Sequence, residues 1–229
     1  MTQQDCFFYS RFIKCLLLIM LLPLAGQLQA QGNIDISYYW DNRDFNTATL
    51  QISKNDIPNG FSFWGFTDLH SAQDNSKQRD DFSRSFSEYR LTNDLLGQWT
   101  DIKDLKLQLE YNDATPGNSN HLLRFGVTYQ LIQSSQGWLQ LRVFPWQSRH
   151  HGQLSVAYFY RISDNLNISG FTDYNLNSRS DNEWIYEPQL NYRLLPNFWL
   201  LLEYRYNGYE ENNPTLDGSG MALGFRYQF

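Results

Sequence analysis

Cysteine, positive charge and long apolar runs are all scarce in this chain of 229 residues. Its only two cysteines are Cys6 and Cys15, so residues 31–229 contain no thiol and no disulfide scaffold can form there. The 18 Lys and Arg residues are outnumbered by 24 Asp and Glu residues, which excludes the basic face that a nucleic-acid partner requires. No segment after Ala30 approaches the roughly 20 apolar residues of a membrane-spanning helix. Aromatic residues make up 17% of the chain, far too many for a disordered protein.

The first 30 residues have the organisation of a secretory signal peptide. Arg11 and Lys14 precede an apolar run over residues 15–25, and Ala30 supplies a small residue for cleavage. The run is too short for a spanning helix. The sequence therefore predicts a signal peptide over residues 1–30 and a mature chain over residues 31–229, with an uncleaved membrane anchor as the alternative.

The mature chain repeats with a period of two, as β-strands do. In residues 105–112, 123–131 and 154–162, apolar side chains alternate with polar ones, and Asn, Asp, Gly and Pro fill the breaks. We expect about 12 strands, with 10 as the alternative, and boundary errors of about 2–4 residues. The predicted strands are 33–40, 45–54, 61–70, 84–91, 105–112, 121–131, 138–146, 153–162, 166–174, 183–194, 198–207 and 218–229.

Charged residues fall almost entirely on one face of these strands. Lys54 and His121 are the exceptions on the apolar face, both at strand ends. A closed barrel in lipid needs an apolar outer face, a polar interior and no open edge. The fold class predicted is all-β, a transmembrane antiparallel β-barrel in contact with the lipids of the bacterial outer membrane. The charges assigned to the interior are Asp35, Glu88, Arg90, Lys106, Glu110, Arg124, Arg142, Arg161, Asp173, Glu187, Arg193, Glu203, Arg205 and Arg226.

Aromatic residues mark the strand ends and the last strand. Trp40, Tyr111, Trp184 and Tyr227 suit the aromatic girdles at the two membrane interfaces. The last strand alternates as far as Phe229, and a final aromatic strand resembles the signal that outer-membrane barrels present to their insertion machinery. We expect both chain termini to lie on the periplasmic side.

A short internal echo suggests where a solute binds. Gly-Phe-Thr-Asp occurs at residues 65–68 and again at residues 170–173, in strands 3 and 9, which face each other across a 12-strand barrel. The channel-lining residues predicted from the inward positions are Trp64, Phe66, Asp68, Phe171, Asp173, Glu187, Glu203 and Arg205. Further aromatic residues assigned to the interior are Tyr39, Phe86, Trp138, Phe144, Trp146, Phe159 and Trp199. The alternative is that these side chains simply fill the barrel.

Several segments resemble the Tsx-like, nucleoside-specific channel-forming outer-membrane proteins. They are residues 60–68, 169–173, the Tyr-Glu-Pro-Gln-Leu stretch at 186–190 and the ending at 224–229. The resemblance implies a monomeric 12-strand barrel whose narrow lumen passes nucleosides. The mixture of Arg and Asp/Glu residues on the barrel interior favours a neutral polar solute over a strongly charged one. We expect a porin-like channel. We expect no enzymatic activity, no cofactor and no metal site.

Three other interpretations remain open. Ser119 and His121 would share the outer face of a strand, as in outer-membrane lipid hydrolases, but they lie in a predicted loop with no orienting partner. Adjacent histidines at 150 and 151 would face opposite ways on a strand, which disfavours a metal site. A non-conducting structural or receptor barrel has no sequence feature that separates it from a channel.

Overall fold

A computed structural model describes residues 32–71, 81–115, 121–148, 152–176, 182–208 and 218–229. The predicted signal peptide, at residues 1–30, lies outside the described residues. The strands are β1 (Asn33–Asp41), β2 (Phe45–Ile57), β3 (Phe61–His70), β4 (Arg84–Asn93), β5 (Leu105–Thr115), β6 (Leu122–Gln133), β7 (Gly137–Gln147), β8 (Gly152–Arg161), β9 (Leu166–Leu176), β10 (Glu183–Leu195), β11 (Phe198–Asn207) and β12 (Gly218–Gln228).

The twelve strands form one closed antiparallel barrel. Each strand pairs with its neighbours in sequence, and β1 closes the sheet against β12 in a register that sets Tyr39 opposite Gly224. Closure satisfies the backbone hydrogen bonds that an open edge would expose. The predicted fold class and the strand count of 12 are confirmed.

Burial in this barrel is inverted relative to a water-soluble protein. On β5, the polar residues Gln108 and Glu110 are 1% and 2% exposed, whereas Leu109 and Tyr111 on the other face are 41% and 40% exposed. The same alternation recurs around the barrel, so polar side chains line the interior and apolar side chains cover the outside. This is the distribution that a lipid environment requires. Among the described residues, no helix is long and apolar enough to cross a membrane.

The aromatic residues predicted for the strand ends lie on the outer surface. Trp40 is 50% exposed, Trp184 49% and Tyr227 42%. Rings also pack against each other along β1 and β12, where Tyr38 stacks on Phe225 with 6.0 Å between centroids. The lipid-facing surface therefore carries aromatic side chains toward both ends of the strands.

The prediction that Trp146 faces the interior was wrong. The pairing of β6 with β7 shifts between Phe125 and Val127, where β7 contains one extra residue, and the shift reverses the parity of the strand end. Trp146 is consequently 51% exposed on the outer face, while Gln147 points inward and is 5% exposed. Pro145 lies within this bulge, a position that tolerates the missing N–H of proline.

Two connections also differ from prediction. β2 extends to Ile57 through a second irregularity, so the turn is reduced to Pro58–Gly60, where Asn59 and Gly60 have positive φ angles of 67° and 74°. The connection after β4 contains a short helix, α1 (Leu95–Thr100), that the period-two pattern did not predict.

Candidate functional site: the barrel lumen

The barrel encloses a cavity of about 2040 Å³ that all twelve strands line. Arg43, His70 and Arg84 border it at the end of the barrel that carries the β1–β2 connection. Lys106 and Gln130 border it at the opposite end. One cavity therefore reaches both ends of the barrel. The charged residues assigned to the interior all line it or are buried beside it.

Every predicted channel-lining residue borders this cavity. The set comprises Trp64, Phe66, Asp68, Phe171, Asp173, Glu187, Glu203 and Arg205. Their inward orientation follows from strand parity, which the bulges do not disturb at these positions. The role of each residue in solute binding stays a prediction.

Three aromatic rings form a ladder on the β3–β4 wall. The Trp64 and Phe66 ring centroids lie 5.3 Å apart, and those of Phe66 and Phe86 lie 5.8 Å apart. The Arg90 guanidinium lies over the Trp64 ring, 4.3 Å from its centroid. The rings are half-buried, so part of their surface remains available to a solute in the cavity.

A first charge network occupies the β4–β6 wall next to this aromatic ladder. Glu110 accepts hydrogen bonds from Arg90 Nε at 3.1 Å and from Arg124, while Arg90 also pairs with Glu88. Arg124 Nε donates to Gln147 Oε1 at 2.8 Å. The network fixes two guanidinium groups with nearly buried carboxylates, so this wall is charged but internally balanced.

Asp173 lies on β9, which is opposite β3 in the strand order of the barrel. Its Oδ2 accepts a hydrogen bond from Gln153 Nε2 at 3.1 Å, and its Oδ1 is buried without a partner among the described residues. Phe171 borders the cavity two positions along the same strand. The second copy of the sequence echo thus supplies an acceptor on the wall opposite Asp68.

A second network crosses the interior between strands that are not neighbours. Arg205 on β11 pairs with Glu203 and donates to Thr47 Oγ1 on β2 at 3.2 Å. Gln189 Nε2 on β10 donates to the Tyr39 hydroxyl on β1 at 2.8 Å. These hydrogen bonds span the inner face of β12, which lies between β11 and β1. Between them and the barrel wall, Tyr39 packs against Leu201 and Ala222.

Asp68 faces the second network from β3. Its Oδ1 accepts a hydrogen bond from Thr49 Oγ1 at 2.5 Å, and Arg205 and Glu203 are close enough to interact with it electrostatically. Glu187 on β10 interacts electrostatically with the same groups. The structure thus brings Asp68, Glu187, Glu203 and Arg205 together and places Asp173 with the first network.

Uncharged partners of these networks were missed by sequence analysis. Thr47, Gln147 and Gln189 are 0%, 5% and 8% exposed and each binds a charged side chain of the lumen. None of these three residues carries a charge or an aromatic ring that would single it out in the sequence. The inward parity of Thr47 and Gln189 on their strands would have identified both.

Trp199 lies between two guanidinium groups at the end that carries the β2–β3 connection. Arg193 and Arg226 are 5.7 Å and 5.5 Å from its ring centroid. Trp199 Nε1 donates to Gln228 Oε1 at 3.0 Å, and Arg226 Nε is buried without a partner among the described residues. This end of the lumen therefore concentrates positive charge around an aromatic ring.

Of the residues weighed for catalysis and metal binding, only His121 lies in the described part of the chain. Ser119, His150 and His151 lie outside the described residues. His121 borders the lumen cavity, contrary to its predicted position on the outer face, because it precedes the first residue of β6 at the mouth. No group of three or more potential metal ligands occurs among the residues that the structure describes.

Solved structures with the same fold are outer-membrane porins. A KdgM porin superimposes with a TM-score of 0.55 at 15% identity, covering 86% of this chain and 99% of the porin. The same porin in complex with disordered oligogalacturonate gives 0.54 at 14% identity, with 86% and 99% coverage. A NanC porin gives 0.56 at 10% identity, with 85% and 98% coverage. No family model and no curated protein matches the sequence. The chain therefore has the porin fold of the outer membrane.

Proposed function

We propose that this protein is an outer-membrane channel that lets small polar solutes diffuse through its lumen. The observation that supports the proposal most strongly is the cavity of about 2040 Å³, whose lining residues in the described part of the chain lie at both ends of the barrel. A barrel of twelve strands falls between the eight strands that side chains fill and the sixteen that open a wide aqueous channel. We therefore expect a narrow, selective passage.

Nucleosides are the solute class that we propose first. The ladder of Trp64, Phe66 and Phe86 offers faces on which a base can stack, for roughly 1–3 kcal/mol per base. Asp68 and Asp173 are hydrogen-bond acceptors for ribose hydroxyls. Acidic and basic side chains are mixed along the cavity, which favours a neutral solute over a strongly charged one.

Acidic saccharides are a second candidate. A KdgM porin, which shares this fold, has been solved in complex with oligogalacturonate. In this chain, Arg161, Arg193 and Arg226 line one end of the cavity and could attract carboxylates. Aromatic ring faces with nearby carboxylates, as at Phe66 and Asp68, favour the nucleoside instead.

Swelling of proteoliposomes tests the proposal and separates the two solute classes. Refolded protein is reconstituted and diluted into iso-osmotic uridine, galacturonate or a neutral tetrasaccharide, and swelling rates are compared with protein-free liposomes. The proposal predicts faster swelling with uridine than with galacturonate and little with the tetrasaccharide. Equal rates with and without folded protein would contradict a channel and support a structural or receptor barrel.

Insertion and oligomeric state belong to the same proposal. We propose that Phe229 at the end of the last strand is recognised by the barrel-insertion machinery and that the protein functions as a monomer in outer-membrane lipids. Phe229 continues the β12–β1 seam, since its N–H donates to the Ile34 carbonyl at 3.0 Å. Its ring packs edge-on against Tyr227, with 4.9 Å between centroids.

A further inference from the structure

The short helix α1 carries an exposed apolar surface that the channel does not use. Leu95 and Trp99 lie four positions apart, so they share one face of the helix, and they are 38% and 74% exposed. Ile102, just beyond the helix, is 46% exposed. We define Leu95, Trp99 and Ile102 as the rim patch.

The helix is held against the barrel wall. A Cβ on Gly97 would lie 2.7 Å from the Leu105 carbonyl oxygen, so the absence of a side chain there lets α1 approach the start of β5 closely. The Leu105 N–H also donates to the Ile102 carbonyl at 3.3 Å. Gly97 is two positions from both Leu95 and Trp99, roughly half a helical turn, so the rim patch faces away from β5. None of its residues lines the lumen cavity.

The rim patch lies at the level where the lipid-facing surface ends. α1 contacts β5, whose first residue Leu105 pairs with Tyr129 of β6, and the Gln130 N–H donates to the Asp104 carbonyl at 3.4 Å. Leu131 and Ile132 of β6 are 47% and 55% exposed. The apolar outer surface of the barrel therefore extends to the end at which α1 lies against β5.

From this position we infer that α1 is an interfacial anchor, with the rim patch lying in the lipid headgroup region at the end of the barrel that carries the β2–β3 connection. Tryptophan favours this region because its ring is apolar and its indole N–H can still reach water or headgroups. The anchor fixes the depth of this rim in the bilayer, next to the mouth of the lumen. A water-exposed patch of this kind would instead be an association hazard.

Site-directed fluorescence in liposomes tests the inference. Because residues 31–229 contain no cysteine, Ile102→Cys, Leu109→Cys and Asn197→Cys each provide a single labelling site in the mature chain. Leu109 is the reference for the lipid-facing wall, and Asn197, exposed in the β10–β11 turn, is the aqueous reference. Each labelled protein is reconstituted with lipids that carry a nitroxide at the headgroup, and aqueous iodide is used as the opposing quencher.

The inference predicts headgroup-nitroxide quenching at position 102 at least about twofold above that at position 197, with correspondingly weaker quenching by iodide. Adding Trp99→Ala should reduce the lipid quenching at position 102, whereas Trp99→Phe should largely preserve it. Quenching at position 102 equal to that at 197, or unaffected by Trp99→Ala, would overturn the anchor. Absence of quenching at Leu109 by a nitroxide on the lipid acyl chain would instead contradict the membrane-spanning barrel, so the two failures are distinguishable.

Discussion

Individual carboxylates in the lumen differ in how completely the protein satisfies them. Glu110 contacts two arginines, whereas Asp68 accepts a hydrogen bond from Thr49 and Asp173 has one buried oxygen without a partner in the described structure. This difference separates groups that hold the wall together from groups that remain able to bind a solute. Substitutions at the two kinds of site should therefore affect different properties.

At the proposed solute-binding positions, Asp68→Ala and Asp173→Ala should each weaken nucleoside block of the proposed channel about tenfold without unfolding the barrel. The expected loss corresponds to the lower end of the contribution of one hydrogen bond to a charged acceptor, about 1.5 kcal/mol. Block is measured by titrating uridine against the current of each variant, with heat-modifiable gel mobility as the folding check. Unchanged affinity in both variants would remove these carboxylates from the binding site.

At the structural position, Glu110→Gln should lower the free energy of unfolding by about 3 kcal/mol, because it leaves Arg90 and Arg124 without their shared counter-charge. Urea unfolding in lipid vesicles measures the change. Asp113→Asn, on the exposed end of the same strand, is the matched control and should cost less than about 0.5 kcal/mol. Similar losses in both variants would show that the network does not stabilise the wall.

At the scale of strands, the seam between β1 and β12 depends on a close approach at Gly224. A Cβ there would lie 2.6 Å from Cδ1 of the Tyr39 ring and 2.5 Å from the Tyr38 carbonyl oxygen. Tyr39 must occupy this space because Gln189 binds its hydroxyl and Arg205 lies 4.7 Å from its ring centroid.

We therefore expect Gly224→Ala to cost about 1–3 kcal/mol of unfolding free energy through overpacking. In a Tyr39→Ala background the added methyl group should cost less, since one of its two close neighbours is gone, and a double-mutant cycle measures the coupling. Equal cost in both backgrounds would show that the Tyr39 ring does not constrain the seam.

How far the sequence predicts each element depends on how regular the strand is. β11 was predicted at its observed bounds, 198–207, because its alternation is uninterrupted. The predicted inward orientation of Trp146 was wrong because a bulge adds one residue to β7. No local feature of the sequence other than Pro145 indicates that bulge. α1 was missed because it has only six residues, in which neither a period of two nor a full helical repeat is visible. The inward residues were predictable by parity, but their partners across the barrel depend on closure.

At the scale of the whole molecule, the proposed function requires that the protein is first exported and that its signal peptide is removed. The mature protein purified from outer membranes should begin at Gln31 and contain no free thiol, because both cysteines precede Ala30. Intact-mass spectrometry and a thiol-reactive label check both points. A mass that includes residues 1–30 would support the uncleaved-anchor alternative.

The expected selectivity for ions and solutes is also a property of the whole barrel. Its two charge networks pair Arg90, Arg124 and Arg205 with buried carboxylates, and the aromatic ladder lies beside the first of them. Current should therefore depend weakly on ionic sign and strongly on solutes that carry a flat ring. These properties belong to the closed barrel, since no single strand provides both walls.

The most direct test of the central claim is single-channel conductance of the refolded mature protein in a planar bilayer, recorded with and without uridine. The proposed channel predicts small, uniform conductance steps that uridine reduces in a saturable way. Absence of conductance from protein that is demonstrably folded and inserted would contradict a conducting lumen and indicate that side chains fill the barrel.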